Sequence, residues 1–183
     1  MKRRHFIPFP IVFLGLPVLI VLVGAIPWVI GWNEAKRVDY ETVESRLELP
    51  PGTSLSDLKS AKVLEVIDGD TIDVVVDGIY ARIRYFGVDT PERGAACYRE
   101  AVDRNDTLVG ETVLLLPDAR ERDDGGRLLR YAFTPEGISI DATLVAEGYA
   151  EAWRRDGRYR DQIVALQQQA EAADRGCLWK EDS

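Results

Sequence analysis

The chain begins with a long apolar run and continues with shorter segments in which apolar and polar positions alternate. Residues 6–32 carry no charged side chain and are rich in Ile, Val, Leu, Phe and Pro. A helix needs roughly 20 apolar residues to cross the hydrocarbon layer of a bilayer. Lys2, Arg3 and Arg4 precede the run, and this slight basic excess favours an N-terminus inside the cytoplasm. The pattern predicts one transmembrane helix within residues 1–37, with the remainder of the chain outside the cytoplasm.

The same beginning also fits a secretory signal sequence, which shares the basic start and the apolar run. A small-x-small cleavage pattern occurs at Val23-Gly24-Ala25. The apolar run nevertheless continues to Trp32, well beyond the roughly 7–15 residues of a signal core. Trp28 and Trp32 suit the interface between membrane and water. The sequence therefore favours an uncleaved membrane anchor, and secretion after cleavage is the alternative.

A polar connector is expected over residues 38–60, and short strand patterns begin at residue 61. Alternating β-branched residues mark one strand, and the following Asp77-Gly78 is a strong signal for a two-residue hairpin. Strands are predicted near residues 61–67, 72–76, 80–87, 111–116 and 128–133, and helices at 98–109, 140–147 and 159–175, the last ending at Gly176. This order predicts a small α+β domain over residues 61–180. Five strands at this spacing suit a partly open barrel of the OB type.

The charge balance limits the kind of partner that the domain can bind. Beyond residue 37 the chain carries 18 Lys and Arg against 30 Asp and Glu, a net charge of −12. Because nucleic-acid binders usually show a basic footprint, tight general binding to phosphate backbones is disfavoured. Any action on nucleic acid must depend on a few well-placed cations and a bound metal. The acid excess suits a high-salt medium, and equally an ordinary solvated surface.

Two clusters contain the residues best suited to chemistry. They are Asp68–Thr71, which reads Asp-Gly-Asp-Thr, and Asp89–Glu92, which reads Asp-Thr-Pro-Glu and follows Arg84 by five residues. Carboxylates at strand ends and turns can converge on a hard cation such as calcium, although Asp and Gly are also ordinary hairpin residues. The single histidine, His5, precedes the apolar run. A histidine general base is therefore excluded for the domain, and a carboxylate is the remaining choice.

Together with Gly126-Arg127-Leu128 and the late pair Leu178-Trp179, the two clusters resemble the staphylococcal nuclease family in residues, order and spacing. The resemblance covers about residues 61–179. It implies an OB-fold barrel with three helices that hydrolyses phosphodiester bonds of DNA and RNA with calcium. The expected fold class of the whole chain is therefore α+β, a five-stranded OB-fold barrel with three helices preceded by one transmembrane helix.

The resemblance also assigns roles to the acidic residues. Asp70 and Asp89 would supply carboxylate ligands to calcium, and the backbone carbonyl of Thr90 would supply a third ligand. Asp68 would hold waters around the ion and add negative potential. Glu92 would position or deprotonate the attacking water.

Arg84 and Arg127 match the two arginines with which the family grips the scissile phosphate. Phosphodiester hydrolysis needs mainly in-line placement of water and neutralisation of equatorial charge. Guanidinium groups provide such neutralisation through bidentate contacts. The alternative for both residues is an ordinary surface ion pair with Asp or Glu, the commoner role of arginines.

The periphery of the expected site departs from the family pattern. Asp124-Gly125 stands where the family has a Lys-Tyr pair, and the loop after Glu92 is shortened to residues 93–96. Trp153 replaces a tyrosine-rich stretch and is either a base-stacking residue or a packing residue. We therefore expect an intact catalytic set with weaker substrate binding.

The two cysteines, Cys97 and Cys177, flank the first and the last predicted helix. The resemblance places those helix ends near each other and so implies a disulfide between them. An even number of cysteines outside the cytoplasm agrees with this pairing. Two independent small core residues are the alternative.

The interpretation favoured by the sequence is a monomeric, membrane-anchored, calcium-dependent nuclease. One alternative is a catalytically inactive OB module that binds nucleic acid or a cell-envelope protein. Another is a structural ectodomain in which calcium provides rigidity, which would suit the net charge of −12. The intact catalytic positions favour the enzyme over both alternatives.

Overall fold

The computed structural model describes residues 45–180. The predicted membrane segment at residues 6–32 and the first part of the connector lie outside this range. Within residues 45–180, no helix is long and apolar enough to cross a bilayer.

Five strands form a closed barrel that confirms the predicted architecture. The strands of the domain are β1 (Lys59–Asp68), β2 (Thr71–Val76), β3 (Ile79–Tyr85), β4 (Val88–Asp89), β5 (Thr112–Arg122), β6 (Leu128–Phe133) and β7 (Glu151–Ala152). The barrel follows the order β1-β2-β3-β6-β5, and β4 pairs with β7 in a separate two-stranded sheet. Barrel neighbours are antiparallel except β3 and β6, which run parallel. This order is consistent with an OB fold.

The described residues contain four α-helices, where three were expected. They are α1 (Tyr98–Val109), α2 (Ile140–Ala146), α3 (Arg160–Ala172) and α4 (Gly176–Trp179). The prediction that the last long helix ends at Gly176 is wrong, because α3 ends earlier and Gly176 begins α4. Gly176 has a φ of 64°, and a Cβ there would collide with the backbone carbonyls of Glu147 and Gly148. Only glycine fits this reversal of the chain.

The hairpin between β2 and β3 forms at the predicted turn. Asp77 and Gly78 have φ values of 50° and 77°. Positive φ at both central residues is the requirement of a type I′ turn, which matches the twist of the flanking strands. The turn pairs Val76 with Ile79 and thereby fixes which side chains of β3 face the core.

The core lies inside the barrel and under the helices. Its largest fully buried side chains are Tyr85, Tyr131, Phe133, Ile72, Ile83, Ile140, Leu144 and Ile163. All seven residues of α2 are buried, because this helix packs against α1, α3 and β6. Ser139 caps it by accepting a hydrogen bond from the Ala142 amide at 3.2 Å.

Part of the predicted connector belongs to the packed domain. Leu47 and Leu58 are buried in the core cluster. The amide of Ser139 donates to the carbonyl of Ser45 at 2.8 Å, and the hydroxyl of Tyr159 donates to a carbonyl of the same segment. The packed unit therefore starts before residue 61.

A disulfide joins Cys97, at the start of α1, to Cys177 in α4. The two Cα atoms lie 5.4 Å apart, and the cysteines are 80 positions apart in sequence. The bond thus ties the first helix to the end of the domain, and neither cysteine is an independent core residue.

Candidate active site

One pocket of about 200 Å³ collects all seven residues to which the resemblance gave a catalytic or metal-binding role. They come from the end of β1 and the turn after it, from β3, from β4 and the loop after it, and from the loop that leads into β6. The residues are Asp68, Asp70, Arg84, Asp89, Thr90, Glu92 and Arg127. The fold therefore brings together positions that lie up to 59 residues apart in the sequence.

Thr90 joins the two acidic clusters. Its amide and its hydroxyl each donate to Asp70 Oδ2 at 2.8 Å. A Cβ at Gly69 would lie 2.8 Å from the Cβ of Thr90, so glycine is what allows the two segments to approach. The Asp-Gly-Asp-Thr motif therefore forms the turn between β1 and β2 and also contributes Asp68 and Asp70 to the lining of the pocket.

Arg84 forms one wall of the pocket and is held from several sides. Its Nε lies 3.0 Å from Asp70 Oδ1, and its Nη2 donates to Asp89 Oδ1 at 2.7 Å. Its Nη1 donates to the carbonyls of Tyr85 and Val88 at 2.7 and 2.6 Å. The guanidinium plane is therefore fixed before any ligand enters.

The environment of Asp70 opposes its negative charge. The residue is 4% exposed, and this burial raises the pKa of Asp70 to about 6. This net value also includes the charge of Arg84 and the hydrogen bonds from Thr90, which lower the pKa, and the charge of the Asp68 carboxylate, which raises it. A cation close to these carboxylates would favour their ionised forms.

Arg127 lies across the pocket on the loop that leads into β6. Its Nε donates to Asp123 Oδ2 at 2.6 Å, and its Nη1 lies 3.4 Å from the hydroxyl oxygen of Thr71. Both site arginines thus take part in ion pairs, as the alternative interpretation expected, and both also line the pocket. A phosphate would compete with Asp123 for Arg127.

The pocket offers oxygen ligands of the kind that a hard cation prefers. Carboxylates of Asp68, Asp70, Asp89 and Glu92 line it together with Thr90, and neither Cys nor His is among the lining residues. Within residues 45–180, no three Asp, Glu, Cys or His side chains are grouped so as to hold a metal by themselves. A calcium ion here would therefore depend on two carboxylates, a backbone carbonyl and waters, which calcium accepts.

Trp153 lies beside a smaller pocket of about 180 Å³ that also contains both site arginines. The guanidinium carbons of Arg120 and Arg155 lie 5.6 and 5.0 Å from the centre of its aromatic ring. Its Nε1 donates to Asp156 at 2.6 Å. The indole is therefore held in a polar cluster near the site, and a stacking base would compete with an arginine for its face.

Sequence reasoning did not identify Asp141 as part of the support of the site. It is fully buried and accepts the amide of Ala132 at 2.8 Å and that of Gly87 at 3.4 Å. Burial raises the pKa of Asp141 to about 7, a net value that already includes the lowering effect of these backbone hydrogen bonds. Asp141 links α2 to β6 and to the turn before β4. An acid in the first turn of a helix is too common a pattern to signal this role.

Asn105 supports the other side of the pocket and was also missed. This fully buried residue of α1 donates to the carbonyl of Asp68 at 2.9 Å and accepts a hydrogen bond from Tyr85 at 2.8 Å. It ties the end of β1 to α1 and to the core. Its position in a polar helix gave no sequence signal of burial.

The sequence is similar to those of known proteins. A family model described as staphylococcal nuclease homologue matches residues 82–181. Endonuclease YncB of Bacillus subtilis is 32% identical over 152 residues, which cover 77% of this chain and 71% of that protein. Thermonuclease of Staphylococcus hyicus is 36% identical over 129 residues, covering 66% and 76%. Micrococcal nuclease of Shigella flexneri is 31% identical over 129 residues, covering 66% and 73%. The chain belongs to the staphylococcal nuclease family.

Proposed function

We propose that the protein is a calcium-dependent nuclease that hydrolyses phosphodiester bonds in DNA, RNA or both. The observation that carries the proposal is the convergence of Arg84, Arg127 and four carboxylates on one pocket of about 200 Å³. The names of the relatives, an endonuclease, a thermonuclease and a micrococcal nuclease, support the same activity.

In this proposal the two arginines bind the scissile phosphate. Arg84 is fixed by backbone carbonyls and carboxylates, so little reorganisation is needed when charge develops on the phosphate. Arg127 is more exposed, with 38% of its side chain accessible, and can turn from Asp123 towards a ligand. Together they neutralise charge on the equatorial oxygens of the phosphate.

Glu92 is exposed and lines the pocket, and in this proposal its carboxylate orients the attacking water and accepts its proton. Asp70, Asp89 and the carbonyl of Thr90 are the residues that would hold calcium, and Asp68 would hold waters beside it. When bound, the ion would supply positive charge to the phosphate. The two hydrogen bonds from Thr90 to Asp70 hold the two acidic segments next to each other.

We also propose that residues 6–32 anchor a monomeric protein in a membrane and that the nuclease domain lies outside the cytoplasm. The apolar run and the Cys97–Cys177 disulfide support this location, since disulfides persist in oxidising compartments. Protease added to intact cells should remove the domain while a cytoplasmic marker survives. Recovery of the domain in the medium would favour secretion after cleavage instead.

The activity is tested with the full chain in detergent. Cleavage of single-stranded DNA and of RNA is measured with added calcium and with chelator, at low and at molar salt. We expect cleavage with calcium and none with chelator, and molar salt should help if repulsion from the acidic surface limits binding. A folded protein that cuts neither substrate at any salt would contradict the proposal and favour a binding module.

A further inference from the structure

A larger groove, of about 870 Å³, lies next to the candidate active site on the outside of the barrel. The β2–β3 hairpin forms one side, and the loop between β5 and β6 forms the other. Ile79 and Tyr80 line it and are 69% and 57% exposed. Such exposure of large hydrophobic side chains is found in residues 45–180 at one further position, Leu64. The groove is therefore the main exposed apolar feature of the described domain.

The groove adjoins the active-site pocket. Arg127 lines both of them. Side chains alternate across a strand, so Tyr80, Arg82 and Arg84 project from the same outer face of β3. At about 3.3 Å per residue, Tyr80 lies about 13 Å along the strand from Arg84. A polymer held at Arg84 can thus extend along β3 into the groove.

Much of the surface of Tyr80 is open to solvent, at 57% exposure. Interaction with the Asp73 carboxylate on the neighbouring strand raises the pKa of the Tyr80 hydroxyl. The same carboxylate accepts two hydrogen bonds from Arg82, at 2.7 and 2.8 Å. An exposed aromatic ring offers a face on which an unpaired base can stack.

The charge of the groove differs from that of the domain as a whole. Arg82, Arg122 and Arg127 line it, and the one acid of its lining, Asp77, is paired with Lys59 at 2.7 Å. The Nη1 of Arg122 donates to the carbonyl of Gly126 at 2.6 Å. No ion pair in the described residues involves Arg122, so its charge is available to an anion.

We propose that this groove binds the part of a single-stranded polynucleotide that extends past the scissile phosphate, with one base stacked on Tyr80 and a phosphate bound by Arg122. The statement that the bound strand continues from the cleaved phosphate rests on the proposed nuclease function. Stacking needs an unpaired base, so the groove selects single strands over duplexes.

The test compares Tyr80→Ala with Tyr80→Phe, which keeps the ring, in the full chain in detergent. Two substrates are used, a dinucleotide and a single-stranded oligonucleotide of about ten nucleotides, a length that one OB fold can cover. We expect Tyr80→Ala to lower kcat/KM on the oligonucleotide by about tenfold, as loss of one stacking contact predicts. Tyr80→Phe should retain wild-type kcat/KM, and neither change should affect the dinucleotide.

Affinity for the same oligonucleotide is measured by fluorescence anisotropy with chelator present. This readout separates the groove from the nuclease activity. Weaker binding by Tyr80→Ala, but not by Tyr80→Phe, would support the groove even if wild-type protein cuts nothing. Arg122→Gln should reduce the dependence of this affinity on salt, whereas Arg160→Gln on the exposed surface of α3 should not.

The proposal is overturned if Tyr80→Ala binds and cleaves the oligonucleotide as wild type does. It is also overturned if Tyr80→Ala impairs the dinucleotide equally, or if Tyr80→Phe is as defective as Tyr80→Ala. Cleavage by wild type combined with any of these results would leave the nuclease proposal intact and remove only the groove.

Discussion

Two buried arginine–carboxylate pairs in this domain are similar in burial and different in surroundings. The side chains of Arg84 and Asp70 are 11% and 6% exposed, and those of Arg104 and Glu147 are 7% and 2% exposed. Arg104 forms two parallel hydrogen bonds to Glu147 and so joins α1 to α2. Arg84 instead divides its donors among two carboxylates and two backbone carbonyls at the wall of a pocket.

The difference shows that a buried ion pair does not by itself indicate catalysis. The Arg104 pair satisfies two charges in the interior between helices, which is a structural task. The Arg84 group sits where Asp89 and Glu92 can meet a ligand from solvent. Substitutions at the two pairs should therefore affect different properties, stability at Arg104 and activity at the pocket.

Loss of Arg104 should affect stability most. Replacing it with Met removes both hydrogen bonds from the guanidinium to the buried carboxylate of Glu147, so the free energy of unfolding should fall by about 3–5 kcal/mol. Urea unfolding of the domain followed by circular dichroism measures the change. Arg160→Met is the control, because solvent screens its exposed pair with Asp161 and the pair should contribute little to stability. Equal effects at both positions would contradict a structural role for the buried pair.

Removal of the disulfide should also reduce stability. Cys97 and Cys177 close a loop of 80 residues, for which chain entropy predicts about 4 kcal/mol of stabilisation. The double variant Cys97→Ala with Cys177→Ala should therefore melt at a lower temperature than oxidised wild type. Reductant should lower the melting temperature of wild type but not that of the variant. An unchanged melting temperature and thiol count on reduction would contradict the bond.

Loss of Arg127 should reduce activity without unfolding the domain. We expect Arg127→Ala to lower kcat by about 10²–10³-fold, the usual effect of removing one group that stabilises charge in the transition state. Arg158→Ala is a matched control, since Arg158 is similarly exposed, at 35%, and also pairs with an aspartate. Comparable activity in both variants would show that Arg127 forms only a surface ion pair.

Asp141 should make stability depend on pH with a known sign. Its folded pKa of about 7 exceeds the ordinary value of 3.8, so the folded state binds the proton more tightly than the unfolded state. Its contribution is complete below about pH 4 and is lost as the pH rises towards about 7, by at most about 1.4 kcal/mol per pH unit. Asp141→Asn should remove this slope from urea unfolding between pH 4 and 7. The same slope in variant and wild type would contradict the assignment.

The barrel was predictable where short-range patterns determine it. The Asp77-Gly78 turn and the alternating residues of β2 specify a hairpin within about ten residues. The extension of β5 beyond Leu116 was missed, because Pro117 and the charged residues after it hide the alternation. β4 and β7 have two residues each and form only because distant segments meet, so no local period announces them.

The candidate site was predictable from the order of its motifs, because the acidic turns and both arginines retain the family pattern. The groups that position them were not. Asp141 and Asn105 act through backbone atoms of segments far away in sequence, and Arg120 reaches Trp153 only through the unforeseen end of β5. Such contacts exist only in the folded domain and leave no spacing to detect in one sequence.

A comparison of wild type with Glu92→Gln, which keeps the shape of the side chain and removes the base, decides whether the pocket containing Glu92 is a nuclease site. Cleavage of single-stranded DNA with added calcium should fall by about 10²–10⁴-fold, the usual contribution of a general base, while the melting temperature stays the same. Cleavage by Glu92→Gln at the wild-type rate would contradict the assignment of this pocket as a nuclease site with Glu92 as its base.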